Sequence, residues 1–123
     1  MDQKVYDAGM KMRRQVAGNE YVDKAMANVD DFNRDFQRIV TQYCWGEAWG
    51  DDTLPPRERS ILNLGMIAAL GKMEEFQTHL RGALTNGVTR DEMREIFMHA
   101  SVYCGVPAGV NALNAASEVL QDA

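Results

Sequence analysis

The chain has 123 residues, a length typical of one domain with its own core, and we expect a single domain over residues 1–123. Its 18 acidic residues outnumber its 13 basic residues, which gives a formal net charge of -5. Because nucleic acids and anionic membranes are bound by clustered positive charge, this balance argues against both classes of partner.

The sequence favours a soluble, cytoplasmic protein. Residues 1–20 lack the apolar core of a signal peptide, and the longest uncharged apolar run, residues 64–71, is far shorter than the roughly 20 residues that cross a bilayer. Cys44 and Cys104 lie far apart, with no C-x-x-C spacing, so we expect reduced thiols and no metal site. The pattern assigns no role to either cysteine.

Apolar residues recur at spacings of three and four through most of the chain, and no run of useful length alternates as a β-strand does. We therefore predict an all-α protein of six or seven helices. The first two helices cover residues 3–16 and 20–29. The third follows the N-cap carboxylates of Asp30 and Asp31 and carries an apolar stripe. The members of this stripe are Phe32, Phe36, Ile39, Val40 and Tyr43.

The turn-forming residues 50–56 mark the one clear internal joint, and they are too few for an interdomain linker. A helix over residues 57–70 follows, in which Ser60 and Asn63 are the only polar breaks after the first turn. A helix that is apolar on nearly every side must be covered on every side. We therefore place this helix at the centre of the domain and of an oligomer.

The next helix lies between Gly71 and the turn Asn86-Gly87, and it carries His79 within its apolar face. The other members of that face are Phe76, Leu80, Ala83 and Leu84. Lys72, Glu75 and His79 line one side of this helix on successive turns. A half-buried histidine can act as an acid, a base or a hydrogen-bond donor near neutral pH. The alternative is an ordinary core histidine, and the pattern alone leaves both open.

Two further helices complete the chain. A capping box at residues 89–92 begins the first of them, and residues 104–107 end it. Its predicted buried side consists of Met93, Ile96, Phe97, Ala100 and Tyr103. The same helix carries His99, a weaker functional candidate than His79. The last helix covers residues 108–120 and is rich in alanine.

Glu47 lies between Trp45 and Trp49, which makes it a carboxylate in an aromatic setting. Burial among the rings would raise the pKa of this carboxyl toward a value useful for proton transfer. The alternative is a helix-end glutamate whose aromatic neighbours pack in the core.

Arginine and tyrosine side chains supply the remaining candidates. Arg57, Arg59 and Arg81 can each bind a carboxylate in a bidentate manner, and Tyr103 can donate a hydrogen bond. Arginines on solvated faces and tyrosines packed in cores are also common, so a structural role is open for each of them.

Five segments together resemble the 4-carboxymuconolactone decarboxylase family. Each segment is weak alone, but they occur in the family's order and at matching spacing over nearly the whole chain. They are Y-D-A-G-M-K-M-R-R at residues 6–14, Y-C-W-G-E-A-W at 43–49, R-E-R-S-I-L-N-L at 57–64, H-L-R-G-A-L-T-N-G-V-T-R-D-E at 79–92 and Y-C-G-V-P-A at 103–108. The resemblance implies an alkylhydroperoxidase D-like fold that assembles as homotrimers or hexamers.

Redox members of that superfamily carry two cysteines three positions apart, with a histidine four residues after the second. Aligned on His79, those cysteine positions correspond to Lys72 and Glu75 in this sequence. A thiol pair is the whole mechanism of the redox members, so the resemblance does not extend to peroxide chemistry. It does retain the histidine, which favours a functional role for His79.

The resemblance implies a carboxy-lyase that converts 4-carboxymuconolactone to the β-ketoadipate enol-lactone in protocatechuate catabolism, with neither cofactor nor metal. The departing carboxylate lies on a ring carbon conjugated to the lactone carbonyl, so the substrate is its own electron sink. His79 would hydrogen-bond the developing oxyanion or relay a proton. The other implied site residues are Glu47 and Tyr103 for catalysis, and Arg57, Arg59, Arg81, Trp45 and Trp49 for binding the anionic lactone.

Three alternatives remain. An enzyme of the same fold can act on another small carboxylated or carbonyl substrate, because pocket differences are not visible in sequence. A non-catalytic helical assembly protein would also carry a buried His79. A peroxide-related activity is the least favoured, because the cysteine pair is missing.

Overall fold

The structure is a computed structural model that describes residues 2–121. These residues form seven α-helices and no β-strand, which confirms the predicted all-α class. The helices are α1 (Gln3–Ala17), α2 (Asn19–Ala27), α3 (Arg34–Ile39), α4 (Pro56–Leu70), α5 (Met73–Thr85), α6 (Arg90–Cys104) and α7 (Val106–Gln121), and Val40–Ala48 continues α3 as a π-helix. Within the described residues, none of the helices has the length and apolarity needed to cross a membrane. Residues 1 and 122–123 of the expected domain lie outside the described part.

The chain divides into two compact units, an N-terminal unit, Met1–Pro56, and a C-terminal unit, Arg57–Ala123. The division falls at the end of the predicted joint, where Pro56 begins α4. Proline is favoured in the first turn of a helix because its missing N–H would have no partner there.

The N-terminal unit is built around the packing of α1 against the π-helix. Asp2 caps α1 by accepting hydrogen bonds from the backbone N–H groups of Lys4 and Val5. Gly18, at φ 94°, ends α1 and leads directly into α2. Only glycine adopts this dihedral without strain, so Gly18 permits the sharp change of direction.

Most of the predicted apolar stripe of the third helix is exposed in the single chain, and only its member Val40 packs against a buried cluster. Its exposed members are Phe32, which is 97% exposed, Phe36, Ile39 and Tyr43. The helix begins only at Arg34, after a turn in which the Asp30 carboxylate accepts two backbone N–H groups. Residues spaced by four lie on one face of the helical segment that follows. Thr41, Trp45 and Trp49 are the buried residues of that face.

In the C-terminal unit, helices α4 to α7 share one apolar core. Its fully buried members include Leu64 and Ala68 of α4, Phe76 and Leu80 of α5, Met93 of α6, and Ala112 of α7. The helix α7 packs against both α5 and α6. The predicted apolar face of α5 is therefore confirmed.

The outer faces of α4 and α6 differ from the prediction. Leu62 and Met66 on α4 are exposed, so the chain alone does not cover this helix on every side. Tyr103, expected on the buried side of α6, is 76% exposed. The core takes Met93, Phe97 and Ala100 from α6, and Tyr103 lies outside their narrower stripe.

Candidate active site

His79 lies in the middle of α5, between the fully buried side chains of Phe76 and Leu80. Its imidazole is half-buried. Burial lowers the pKa of this imidazole below its usual value of 6.5, because desolvation disfavours the charged form, and the carboxylate of Glu75 opposes the shift more weakly. The neutral form of His79 is therefore favoured at neutral pH.

Asn63 on α4 lies beside His79. Its amide Nδ2 is 3.5 Å from the imidazole Nδ1, at the long end of the hydrogen-bond range. With the amide as donor, Nδ1 accepts and the imidazole proton lies on Nε2. The sequence signalled this pair only indirectly, because a polar residue in an apolar helix needs a polar partner. In the sequence, Asn63 is visible only as a polar break in an apolar helix, and no local pattern connects it to His79.

A second polar contact lies one turn earlier on α4. Ser60 is buried, and its hydroxyl accepts a hydrogen bond of 3.0 Å from the side-chain amide of Asn86, which follows α5. The two polar breaks of α4, Ser60 and Asn63, therefore both contact residues of the α5 region. These contacts fix how α4 and α5 meet around His79.

Arg57 is engaged by carboxylates. Its guanidinium forms ion pairs with Glu92 on α6 and, at 3.4 Å, with Glu58. Glu92 also completes the capping box at the start of α6, where it accepts from the Thr89 backbone N–H at 2.9 Å. The contact links the first turns of α4 and α6, which gives Arg57 a structural role.

The other two arginines of the predicted binding set lie apart from this contact. Arg59 is half-buried on α4, and Arg81 is exposed on α5, two residues after His79. Residues two positions apart on an α-helix point to different sides, so Arg81 and His79 do not share a face.

An apolar cleft of about 890 Å³ lies between α4 and α6. Its floor includes Ile61, Gly65 and Met66 from α4. Tyr103 and His99 line it from α6, where their rings are tilted with centroids 4.7 Å apart. His79 is not one of the lining residues. The cleft and the His79–Asn63 pair therefore use different faces of α4.

We place the candidate site at His79 and not in the larger cleft. The cleft is open, and its histidine is exposed on the helix surface. His79 combines partial burial, a shifted pKa and a polar partner, which is the combination that catalytic groups need. The volume of the cleft does not by itself indicate a catalytic site.

Trp45 and Trp49 lie in the N-terminal unit and are brought together by the π-helix. Their rings stack with centroids 5.1 Å apart, and both side chains are buried. Glu47, between them in the sequence, is exposed. Of the two interpretations of Glu47, the structure agrees with a glutamate whose aromatic neighbours pack in the core, because residues two apart on a helical segment do not face the same way.

Lys72 and Glu75 are the two positions that the resemblance aligns with the cysteines of redox members. Lys72 precedes the first residue of α5, and Glu75 lies exposed in its first turn, one turn before His79. Cys44 and Cys104 are free thiols, both exposed. Within residues 2–121, no group of three or more His, Cys, Asp or Glu side chains is arranged to hold a metal ion.

Comparison with known proteins agrees with the sequence resemblance. The model of the Carboxymuconolactone decarboxylase family matches residues 34–118. A 4-carboxymuconolactone decarboxylase of Acinetobacter baylyi is 39% identical over 98% of this chain and 90% of its own length. A nitrosuccinic acid decarboxylase of Metarhizium robertsii is 38% identical over 99% of this chain and 85% of its own length. A 4-carboxymuconolactone decarboxylase of Pseudomonas putida is 44% identical over 38% of this chain. The chain belongs to the carboxymuconolactone decarboxylase family.

Proposed function

We propose that this protein is a carboxy-lyase that converts 4-carboxymuconolactone to the β-ketoadipate enol-lactone in the catabolism of protocatechuate. The substrate assignment rests on the 39% identity to the Acinetobacter baylyi decarboxylase over 98% of the chain. The observation in the molecule that supports it is the half-buried imidazole of His79, whose pKa is lowered by burial. A neutral donor in apolar surroundings suits a reaction that develops negative charge on oxygen.

The main task of the protein in this reaction is to stabilise the negative charge that develops on the lactone oxygen. The bond between the ring carbon and its carboxylate breaks, and its electron pair moves through the carbon-carbon double bond to the lactone carbonyl. This gives CO2 and a dienolate, and a proton then adds at the carbon alpha to the carbonyl. We assign the Nε2–H of His79 to hydrogen-bond the dienolate oxygen, with Asn63 holding the imidazole in the required tautomer.

The source of the added proton is a separate question. Glu47 and Tyr103 remain the proposed donors, and Arg57, Arg59 and Arg81 the proposed carboxylate ligands, with Trp45 and Trp49 as binding residues. Comparing Glu47→Gln with Tyr103→Phe separates the two donors. The variant that lacks the true donor should still release CO2, but it should form the enol-lactone more slowly than the wild type does.

The decisive assay is incubation of the purified protein with freshly generated 4-carboxymuconolactone. We expect CO2 release and formation of the enol-lactone in equal amounts. Absence of turnover with a folded protein at micromolar enzyme would contradict the substrate assignment. A peroxide-reduction assay run in parallel is expected to be negative, because Lys72 and Glu75 occupy the positions of the redox cysteines.

A second candidate substrate is nitrosuccinic acid, the substrate named for the Metarhizium robertsii relative at 38% identity. A nitro group on the carbon that bears the departing carboxylate can accept the electron pair as a nitronate. Both reactions therefore lose CO2 from an anionic acid that carries its own electron sink. The ratio of the two kcat/KM values decides between them, and we expect the lactone to be favoured.

We also propose that the chain assembles as a homotrimer or hexamer. Large apolar side chains are exposed in both units of the chain, among them Phe32, Leu70 and Val102. Large exposed apolar patches mark interaction sites, and we infer that these side chains contribute to such surfaces. Light scattering on the purified protein tests this proposal, and a monomer at micromolar concentration would contradict it.

A further inference from the structure

The N-terminal unit buries a cation, Arg13, beside which the described residues place no counter-charge. Arg13, on α1, is 5% exposed, and its Nη1 donates a hydrogen bond of 3.1 Å to the hydroxyl of Thr41 on the π-helix. Among residues 2–121, no carboxylate lies within 4 Å of this guanidinium. A hydroxyl is neutral, so the contact with Thr41 orients the guanidinium without balancing its charge.

A charge buried in this way is costly. Desolvation lowers the pKa of Arg13, and the neighbouring Arg14 adds to that shift, while the phenols of Tyr6 and Tyr21 oppose it. The effective penalty for one buried ion is several kcal/mol even after the structure relaxes. Arginine is accordingly rare in protein interiors unless an anion pairs with it. In the described part of the chain, the environment of Arg13 therefore lacks a negatively charged partner.

Backbone packing holds the guanidinium in place. Gly9 lies one turn before Arg13 on the same face of α1, and a Cβ at Gly9 would be 2.0 Å from the carbonyl oxygen of Thr41 and 2.8 Å from the amide nitrogen of Gly46. The absence of a side chain at Gly9 lets α1 contact the π-helix backbone directly. This contact sets Arg13 against Thr41, on a kind of segment that is concentrated at functional sites.

We propose that Arg13, oriented by Thr41, binds the carboxylate of a small organic acid. The planar guanidinium offers parallel N–H donors that match the two oxygens of a carboxylate. The hydrogen bond to Thr41 uses Nη1 and leaves other donors of the fork for the ligand. The choice of a carboxylate over other anions rests on the proposed function, whose substrates are all carboxylic acids.

Succinate, a simple dicarboxylate, is the probe for this site. We compare Arg13→Met and Arg13→Lys in the full chain, with Arg14→Met as the matched control. Arg14 is the adjacent arginine, and it already pairs with Asp23 at 2.7 Å on the surface. Calorimetry gives the Kd for succinate, and thermal unfolding gives the stability with and without succinate.

We expect succinate to bind and stabilise the wild type and Arg14→Met equally. Arg13→Met should bind succinate roughly 30- to 100-fold more weakly, the effect of losing charge-assisted hydrogen bonds. Arg13→Lys should be intermediate, because it keeps the charge and loses the fork. Without succinate, Arg13→Met should unfold at the same or a higher temperature than the wild type, because it removes an unbalanced charge.

Four outcomes would overturn the proposal. The first is a wild type that succinate does not stabilise at millimolar concentration, and the second is equal stabilisation by phosphate or chloride. The third is an Arg13→Met protein that is less stable but binds succinate normally, as a purely structural arginine predicts. The fourth is loss of assembly in Arg13→Met without weaker succinate binding, which would show that a second copy of the chain neutralises Arg13.

Two further measurements complete the test. If Arg13→Met does not fold, Thr41→Val keeps the charge and the shape but removes the orienting hydroxyl, and it should weaken succinate binding several-fold. The KM for 4-carboxymuconolactone separates the sources of the carboxylate: a raised KM in Arg13→Met identifies the substrate, and an unchanged KM identifies a separate acid. If no variant turns over the lactone, the proposed function fails while succinate binding still tests Arg13.

Discussion

Replacing His79 by glutamine tests the assignment of the catalytic group. Glutamine is polar and close in volume to histidine, so it should preserve the packing between Phe76 and Leu80. It lacks the imidazole, whose pKa is lowered by burial and whose Nε2–H we assign to the dienolate oxygen. Loss of one donor to an oxyanion in a site shielded from water costs about 3–4 kcal/mol, which is roughly 100- to 1,000-fold in kcat.

Replacing Asn63 by leucine gives a graded comparison. At 3.5 Å, the contact between Asn63 and His79 is long, so its net contribution is about 1 kcal/mol and the loss of kcat about five- to tenfold. Because Asn63 acts through His79, the double variant should be no slower than His79→Gln alone. Additive losses would show that Asn63 acts independently of the imidazole.

The assay follows enol-lactone formation from 4-carboxymuconolactone under saturating and subsaturating conditions, so that kcat and KM are obtained separately. Circular dichroism and light scattering establish that each variant keeps its fold and assembly. The matched control is His99→Gln, which makes the same substitution at the histidine that lines the cleft between α4 and α6. Turnover by His79→Gln within twofold of the wild type, or a large loss in His99→Gln alone, would refute the placement of the site.

Three other predictions concern stability. Because the pKa of His79 is lowered on folding, its contribution to stability is full above pH 6.5 and falls as the pH drops below that value. Urea unfolding between about pH 7.5 and 5.5 should therefore show a smaller loss of unfolding free energy in His79→Gln than in the wild type. Equal dependence of that free energy on pH in both proteins would contradict the prediction. Gly9→Ala places a Cβ 2.0 Å from the Thr41 carbonyl oxygen and should lower the free energy of unfolding by roughly 3 kcal/mol. Gly65→Ala, whose Cβ would have no atom within 4 Å, should raise that free energy by up to about 1 kcal/mol. Similar effects of the two substitutions would refute this prediction. Thr89→Ala removes the N-cap of α6 and should cost about 1 kcal/mol, measured by denaturant unfolding, with Thr89→Ser near the wild type; an equal loss in both would exclude the hydroxyl as the cause.

Elements with strong local signals were predictable. The capping box at the start of α6 and the caps around α5 depend on residues within one or two turns of each other, so the sequence fixes them directly. The apolar face of α5 is confirmed for the same reason. The third helix begins later than predicted, at Arg34, and its continuation as a π-helix was not predicted, because a π-helix has no periodic signature that distinguishes it from an α-helix.

The candidate site was only partly predictable. The position of His79 on an apolar stripe was visible, and so was the polar character of Asn63 within an apolar helix. Their contact joins positions 63 and 79 on different helices, so it depends on how α4 and α5 pack. The same limit explains Arg57, which was predicted as a ligand for substrate and is paired with Glu92 from α6.

By itself, the sequence determined the all-α class, the positions of most helix ends and the histidine that the family resemblance singles out. These features follow from local backbone preferences and from the periodicity of apolar residues. Only the tertiary structure decided which polar groups lose water and which partners they gain. It exposed Glu47, lowered the pKa of His79 and left Arg13 buried with no carboxylate of residues 2–121 beside it, because desolvation and charge pairing depend on all the elements packed around a group.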